Sequence, residues 1–385
     1  MSPFTRNRMA VLVSLLASSM ALAMPPDGGI TDLQAQMQGK VIGLQGDPVL
    51  LPRPSVDSSA AVKALLATPI TADAAVRIAL LNNPGLQASM GAAGLGVTDL
   101  QGSNTPAKRQ LQRDITTLSA QAFKAWVQAV AAAHSAHALR DAQATAQTAG
   151  ELARRMVQAG NLSKLNQAQY QDRLSEAALA VARADQQAFV AREQLVQVLG
   201  LWGAQTQFEL ADTLPALPNA AQDMPDFEAR AVQARTDLAQ ATFDWQLKRT
   251  PPTAPRDLWD IMGDGASVRA LAVKVRSEAR AAYFSYRSSY DIAKHLQTEV
   301  LPLRQFIHDE LVLRYNGMLT SVFDVLADTQ AMTMAKRDSV VAQRDFWLAH
   351  ANLQALLAGA PIDALGGDAS ATNSEARAAA SQGGH

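Results

Sequence analysis

Apolar side chains recur every three or four residues along most of this chain, the period of packed α-helices. Between 110 and 158 the row runs Ile115, Leu118, Ala122, Ala125, Ala129, Ala132, Ala136, Leu139, Ala142, Ala146, Ala149, Ala153 and Met156. Phe123, Trp126, Val127 and Val130 stand off that row, so this helix is apolar on more than one side. A second run, 162–199, carries Leu174, Ala178, Val181, Ala184, Ala188, Ala191, Leu195 and Leu199. The second half repeats the pattern from Val268 through Val275, Ala279, Ala282, Tyr286, Ala293, Leu296 and Val300 to Leu303. Pro302 lies inside that ladder and is expected to kink it, because proline lacks the N–H and crowds the preceding turn. A last helix over about 319–357 carries Val322, Val325, Leu326, Met332, Val340, Trp347, Leu348 and Leu356. Thr71 is placed to cap a shorter helix with Asp73 in its first turn, which ends at Asn82-Asn83-Pro84.

Residues 24–69 are rich in Pro, Gly and polar residues and read as an extended N-terminal arm. The Pro-rich stretch 214–225 separates a first helical repeat, 70–213, from a second, 226–360, and the small polar residues of 361–385 predict a disordered tail. The repeats are an internal duplication. Tyr283 follows Trp126 by 157 positions, and Gly317 follows Gly160 by the same 157. The closing Leu199-Gly200 and Ala358-Gly359 lie 159 apart, and EARAVQARTDLAQA from Glu228 echoes AVRIALLNNPGLQA. Each half is expected to be a short helix, a long helix, a glycine turn and a second long helix. The fold class is all-α: two tandem repeats of long antiparallel helical hairpins.

Composition narrows the function. Aromatic residues are 5% of the chain and alanine dominates the apolar set, which suits closely packed helices better than sheets. With 34 basic and 35 acidic side chains, the charge balance disfavours nucleic acid as a partner. The absence of cysteine excludes disulfides, thiolate catalysis and a lipidated N-terminal Cys. Arg6 and Arg8 precede the apolar run Met9–Leu22, and Ala21-Leu22-Ala23 has the small-x-small form of a signal-peptidase site. Residues 1–23 therefore read as a signal peptide and the protein as exported. The chain holds no G-x-S-x-G elbow, no phosphate-binding loop and no H-E-x-x-H pair, so no enzyme activity, cofactor or metal is expected. His134 and His137 are three apart on one helix face, but no third ligand is identifiable and they read as solvated histidines.

The strings AVRIALLNNPGLQA, ARRMVQAGNLSKLNQAQ, LVQVLGLWG, RYNGMLTSVFDVLADTQ and RDFWLAHANLQALLAG resemble the TolC-like outer membrane efflux proteins, over roughly 57–360. The resemblance implies a homotrimer whose long helices build a periplasmic α-barrel and whose repeats each give two strands to an outer-membrane barrel. It implies a periplasmic adaptor protein and an inner-membrane pump as partners, and glycine turns at the inner end of a tube that opens like an iris. This sequence departs from that pattern. A membrane-crossing strand needs ~9–11 residues of alternating character. Only Gly91–Arg109 and Lys248–Ser267 are available, both Gly/Pro-rich, so they read as short connectors with little or no β-barrel.

By the same resemblance Asp324 falls where an aspartate lines the constricted inner mouth. The family's second aspartate falls on Ala327, with Asp328 one step later. Symmetry-related carboxylates in a narrow mouth attract cations and repel one another. Alternatively Asp324 is a solvated carboxylate favouring a helix N-terminus. Gly160 and Gly317 are expected to free the backbone for the helix-to-helix turns. Gly160, Asn161, Arg314, Tyr315, Asn316 and Gly317 would then meet the adaptor, with Arg314, Tyr315 and Asn316 either tip contacts or ordinary surface residues. Trp126, Tyr283 and Trp347 read as packing anchors. The leading function is the passive outer component of an efflux assembly in the outer membrane; the alternative is a soluble periplasmic scaffold lacking the pore.

Overall fold

The computed structural model describes residues 30–44, 48–53, 57–93, 106–249 and 257–361. The expected signal peptide and the tail after Pro361 lie outside the described residues. The described chain is built from helices α1 (Ile30–Met37), α2 (Ser59–Leu66), α3 (Ala72–Asn82), α4 (Pro84–Ala92), α5 (Pro106–Gln158) and α6 (Lys164–Leu199) in its first half. The second half contributes α7 (Phe227–Ala234), α8 (Thr236–Arg249), α9 (Leu258–His295), α10 (Leu301–Asn316) and α11 (Val322–Leu357), with a π-helical turn, Leu296–Val300, joining α9 to α10. No strand forms among the described residues. An isolated parallel bridge pairs Ile70 with Leu210.

The long elements form one layer. α5 packs between α6 and α11, and α11 in turn packs against α9 and α10. At about 1.5 Å per residue α5 is a rod of ~80 Å. Its upper half is buried on several sides, because α3, α4, α6 and α11 all reach it, and this is where Phe123, Trp126, Val127 and Val130 are needed. Lower down only a stripe is covered, and there the alanine row at 136, 142, 146, 149 and 153 brings the neighbouring helices close.

The two halves close in equivalent ways. Thr71 caps α3, its hydroxyl accepting from the Ala74 N–H. Asn83 ends α3 in extended conformation, caps α4 through the Leu86 N–H and donates to the Val198 carbonyl at 2.8 Å. Asn82 reaches the Leu199 and Gly200 carbonyls beside it. Gly200 ends α6 at φ +68°, with no room for a Cβ, which would stand 2.9 Å from the Asn82 carbonyl oxygen. Gly359 repeats this after α11, where a Cβ would stand 2.4 Å from the Ala234 carbonyl oxygen. At the α7–α8 junction Asn83 is replaced by Arg235, whose buried guanidinium bonds Asp237 and Glu278.

The arm 24–69 was expected to be extended, and two stretches of it are helical. Ile30, Leu33 and Met37 of α1 and Val62 of α2 enter the main core, spaced as one face of a short helix. The Ile42 N–H donates to Ser119 on α5. The Pro-rich stretch 214–225 is fastened to the second repeat. Gln343 and Trp347 donate to the Pro215 carbonyl, Tyr290 donates to the Pro218 and Asn219 carbonyls, and the Gln222 N–H donates to the Tyr286 hydroxyl. Trp126 and Trp347 anchor packing as expected, Trp126 also donating to the Ile70 carbonyl. Tyr283 is half-buried and stacks on Phe227.

Helix also takes more of the connectors than their glycines and prolines suggested. α8 runs to Arg249 and α9 starts at Leu258, so residues 250–257 separate them, while 93–105 separate α4 from α5.

Candidate functional site: the turn end of the rods

The two long hairpins turn at the same end of the molecule, where Tyr170 of α6 stacks on Phe323 of α11 at 4.7 Å between ring centroids. Arg173 lies over the Tyr170 ring at 5.6 Å, adding a cation–π contact.

The first turn closes with two bonds: Asn161 N–H to the Met156 carbonyl, and Gly160 N–H to the Val157 carbonyl. This is a Schellman motif, which needs a left-handed residue after the helix. Gly160 supplies it at φ +80°. Ser163 then caps α6 through the Asn166 N–H.

The second turn closes with the same pair of bonds, Leu319 N–H to the Arg314 carbonyl and Met318 N–H to the Tyr315 carbonyl. Here the left-handed position belongs to Met318 at φ +59°, while Gly317 is at φ −81°. Gly317 therefore does not supply the backbone freedom expected of it. The matching residue is Met318, one position further on, and Ser321 correspondingly matches Ser163. Met318 and Leu319 are 94% and 80% exposed and form an apolar prong at the tip. Tyr315 is exposed beside them, and Arg314 and Asn316 complete the last turn of α10, where an arginine favours the helix C-terminus.

The two aspartates are placed differently. Asp324 is exposed and forms a capping box with Ser321: each side chain bonds the other residue's backbone N–H. Its carboxylate also accepts from the hydroxyls of Ser321 and Thr320. The Ser321 hydroxyl chiefly, then Thr320, holds its pKa below the ordinary aspartate value. Asp328 is buried and meets His308 Nδ1 of α10 at 2.8 Å, so it ties the arms of one hairpin together. The structure brings Asp324 to the tip with Arg314–Gly317, with the first turn close by through the Tyr170–Phe323 stack, and it sets Asp328 inward.

Tyr170, Phe323, His308 and Met318 carry contacts that the sequence reading did not single out. Phe323 stands beside Asp324 and Met318 beside Gly317, but the ring partner of Phe323 lies far off in sequence on α6, and periodicity does not reveal that Met318 closes the turn. Away from the tips, His137 lies 3.2 Å from Asp141, and burial lowers the His134 pKa against an opposing pull from Asp212. No group of three or more His, Asp or Glu side chains converges as a metal site among the described residues. None of their helices is long and apolar enough to cross a membrane.

No protein-family model matches the chain, and no curated protein does. Solved structures do. A crystal structure of CusC, from work on conformational changes accompanying folding and transmembrane channel formation, is 11% identical with a TM-score of 0.52. The likeness covers 77% of this chain and 92% of that one. A membrane protein from Pseudomonas aeruginosa is 12% identical at TM-score 0.48, over 74% of this chain and 72% of that one. The CmeC outer membrane channel of Campylobacter jejuni is 13% identical at TM-score 0.45, over 76% and 71%. At 11% identity the likeness to CusC establishes the fold alone.

Proposed function

We propose that this chain, which has the fold of the TolC-like outer membrane channels, is the duct subunit of an efflux assembly. It is a passive periplasmic tube wall without catalysis of its own, and an inner-membrane pump and a periplasmic adaptor drive and connect it. The observation that carries this reading is the state of its two edges. Inside the chain, the long helix of the first repeat, α5, packs against the closing helix of the second, α11. Their counterparts, α9–α10 and α6, are the edges of the layer, and both leave large apolar side chains in water. These are Leu165, Leu179 and Phe189 on α6, and Val273, Phe284, Ile292, Leu303 and Phe306 on α9–α10. Repeating the α5–α11 packing between copies covers both edges, and a head-to-tail contact of this kind closes into a ring by rotation. A homotrimer with four rods per copy is the ring proposed.

In that ring the tips, Gly160 and Asn161 with Arg314–Gly317, face the adaptor, and Asp324 supplies the carboxylates of the inner mouth. Asp324 also caps α11, so two variants separate its roles. Asp324→Asn keeps a side-chain acceptor for the Ser321 N–H and removes the charge; Asp324→Ala removes both. Raised ion conductance of the assembled channel in both variants supports the gate. A loss of stability in Asp324→Ala alone, by about 1 kcal/mol with conductance unchanged, reduces the residue to a cap.

A second reading, a soluble periplasmic scaffold with this fold, is favoured by the connectors. Residues 93–105 and 250–257 are each too short for two membrane-crossing strands of ~9–11 residues. An open sheet edge is not tolerated in lipid, so a barrel does not simply shrink. Cell fractionation decides between the two. Recovery from the outer membrane only with detergent supports the duct. Full release with the periplasmic fluid overturns it in favour of the scaffold.

A further inference from the structure

The duplication sets one half of the chain against the other, side chain by side chain. Tyr286 and Tyr290 on α9 lie 157 positions after Ala129 and Ala133 on α5, the offset that also separates Tyr283 from Trp126. On the closing helices the offset is 158, which matches the cap Ser321 to Ser163 and the buried Leu353 to Leu195. By that offset Phe346 stands where α6 has Ala188, and His350 where α6 has Arg192.

In the second half these places form a filled cluster. The Phe346 ring lies 5.6 Å from that of Tyr286 and 5.7 Å from that of Tyr290, and His350 packs on Tyr286 and Phe346. In the first half three alanines replace the three rings, and the space stays open. The result is a hollow of about 250 Å³ floored by Ala129, Ala133, Ala136 and Ala188. Phe189 and Leu210 wall it, and Arg140 and Arg192 complete its lining. The bridge between Leu210 and Ile70 fixes one wall.

Arg192 gives the hollow its chemistry. Its Nη2 donates to the Phe208 carbonyl at 2.6 Å and to the Thr206 carbonyl at 3.3 Å, and its guanidinium lies over the Phe208 ring at 4.3 Å. The cation is therefore held in one orientation. It forms no ion pair among the described residues, and no acceptor there meets its Nε or Nη1. Glu209 lines a second cavity with Arg192 but makes no ion pair with it. Arg140, by contrast, is paired with Asp185 at 2.5 Å. A fixed guanidinium with two donors to spare matches the planar fork of a carboxylate, and an apolar hollow with few polar groups suits a small ligand.

We propose that this hollow binds an aromatic monocarboxylate. The ring of the ligand takes the space that Tyr290 and Phe346 fill in the second half, and its carboxylate accepts from Nε and Nη1 of Arg192. The site is complete within one chain and rests on neither the duct nor the scaffold reading.

Titration calorimetry of the purified full chain with 3-phenylpropionate tests the proposal. A ligand of this size gains little free energy per atom, so a dissociation constant on the order of 0.1–1 mM is expected. The uncharged 3-phenylpropionamide carries the same ring and is expected to bind about tenfold more weakly. Arg192→Gln is expected to weaken binding of the acid by about the same factor, and Arg192→Lys, which keeps the charge without the fork, by less. Ala133→Tyr combined with Ala188→Phe installs the residues of the second half, and is expected to abolish binding with helical circular dichroism unchanged. This filled variant decides the matter if Arg192→Gln loosens the 206–208 backbone. Acid and amide binding alike, a filled variant that binds as the parent does, or no heat of binding up to about 10 mM acid overturns the proposal.

Discussion

Met318 shows what a single residue can cost. A left-handed conformation brings Cβ against the following carbonyl, a penalty of roughly 1–2 kcal/mol for any residue but glycine. The first turn avoids it with Gly160; the second accepts it and exposes the methionine. Met318→Gly is expected to raise stability to urea by about 1 kcal/mol, and a loss of stability would show that the side chain is held by contacts within the chain. His350 makes the opposite case, a polar group kept among aromatic rings. Tyr286, Phe346 and Trp347 surround it, its Nδ1 is buried without a hydrogen-bond partner, and burial lowers its pKa. Below the ordinary histidine pKa of about 6.5 the unfolded chain takes up a proton that the folded chain resists. Stability is therefore complete above that value and falls as the pH drops towards the folded-state pKa. His350→Leu is expected to flatten this dependence between roughly pH 7 and 5, as read from urea midpoints. An unchanged slope would assign it to other groups, such as His134.

The ends of the elements are where the duplication becomes mechanical. Gly200 and Gly359 each let the end of a long helix rest on a carbonyl of the short-helix pair, and both have positive φ. Gly359→Ala combines a backbone clash with a left-handed Cβ, and is expected to destabilise by about 3 kcal/mol or more. Gly200→Ala, with a clash half an ångström less severe, should cost less in the same denaturant titration. If both variants cost the same, the left-handed conformation alone sets the penalty. This scale also shows what the sequence made legible. The rods, the caps at Thr71 and the break at Asn83-Pro84 follow from periodicity and side-chain chemistry within a few residues. The short helices of 24–69 did not stand out, because Ile30, Leu33 and Met37 span two turns among prolines and glycines whose local preference is for turns. Glycine is the cheapest left-handed residue, so the sequence points to Gly317 as the turn residue. Trp126 and Tyr283 are 157 apart but the turn-closing Asn161 and Leu319 are 158 apart. The second repeat therefore holds one inserted residue, at the level of the π-helical turn Leu296–Val300, and closure falls on Met318. Insertion, turn and tip form one chain of cause, but only the hydrogen bonds reveal which residue closes the turn.

At the scale of the molecule, one layer of rods leaves two long apolar edges, and this surface governs what the protein does in solution. Phe284 and Phe306 lie on the α9–α10 edge and are exposed, whereas Tyr286 and Ala279 on the same helix are buried against α11 and its neighbours. The exposed pair thus contributes little to the fold of a single copy. Burying a phenylalanine contributes about 1.5–3 kcal/mol, so covering both against the α6 edge of a neighbour contributes ~3–6 kcal/mol per contact. That corresponds to about two to four decades in affinity. Phe284→Lys combined with Phe306→Lys replaces this gain with the cost of burying two cations. The double variant is expected to run as a monomer by light scattering at concentrations where the parent forms the proposed trimer, with helical circular dichroism unchanged. A trimer that survives both substitutions would move the contact between copies elsewhere. A fall in helicity would mean that these rings support the rod itself, and that the edges are less available to a neighbouring copy than their exposure indicates.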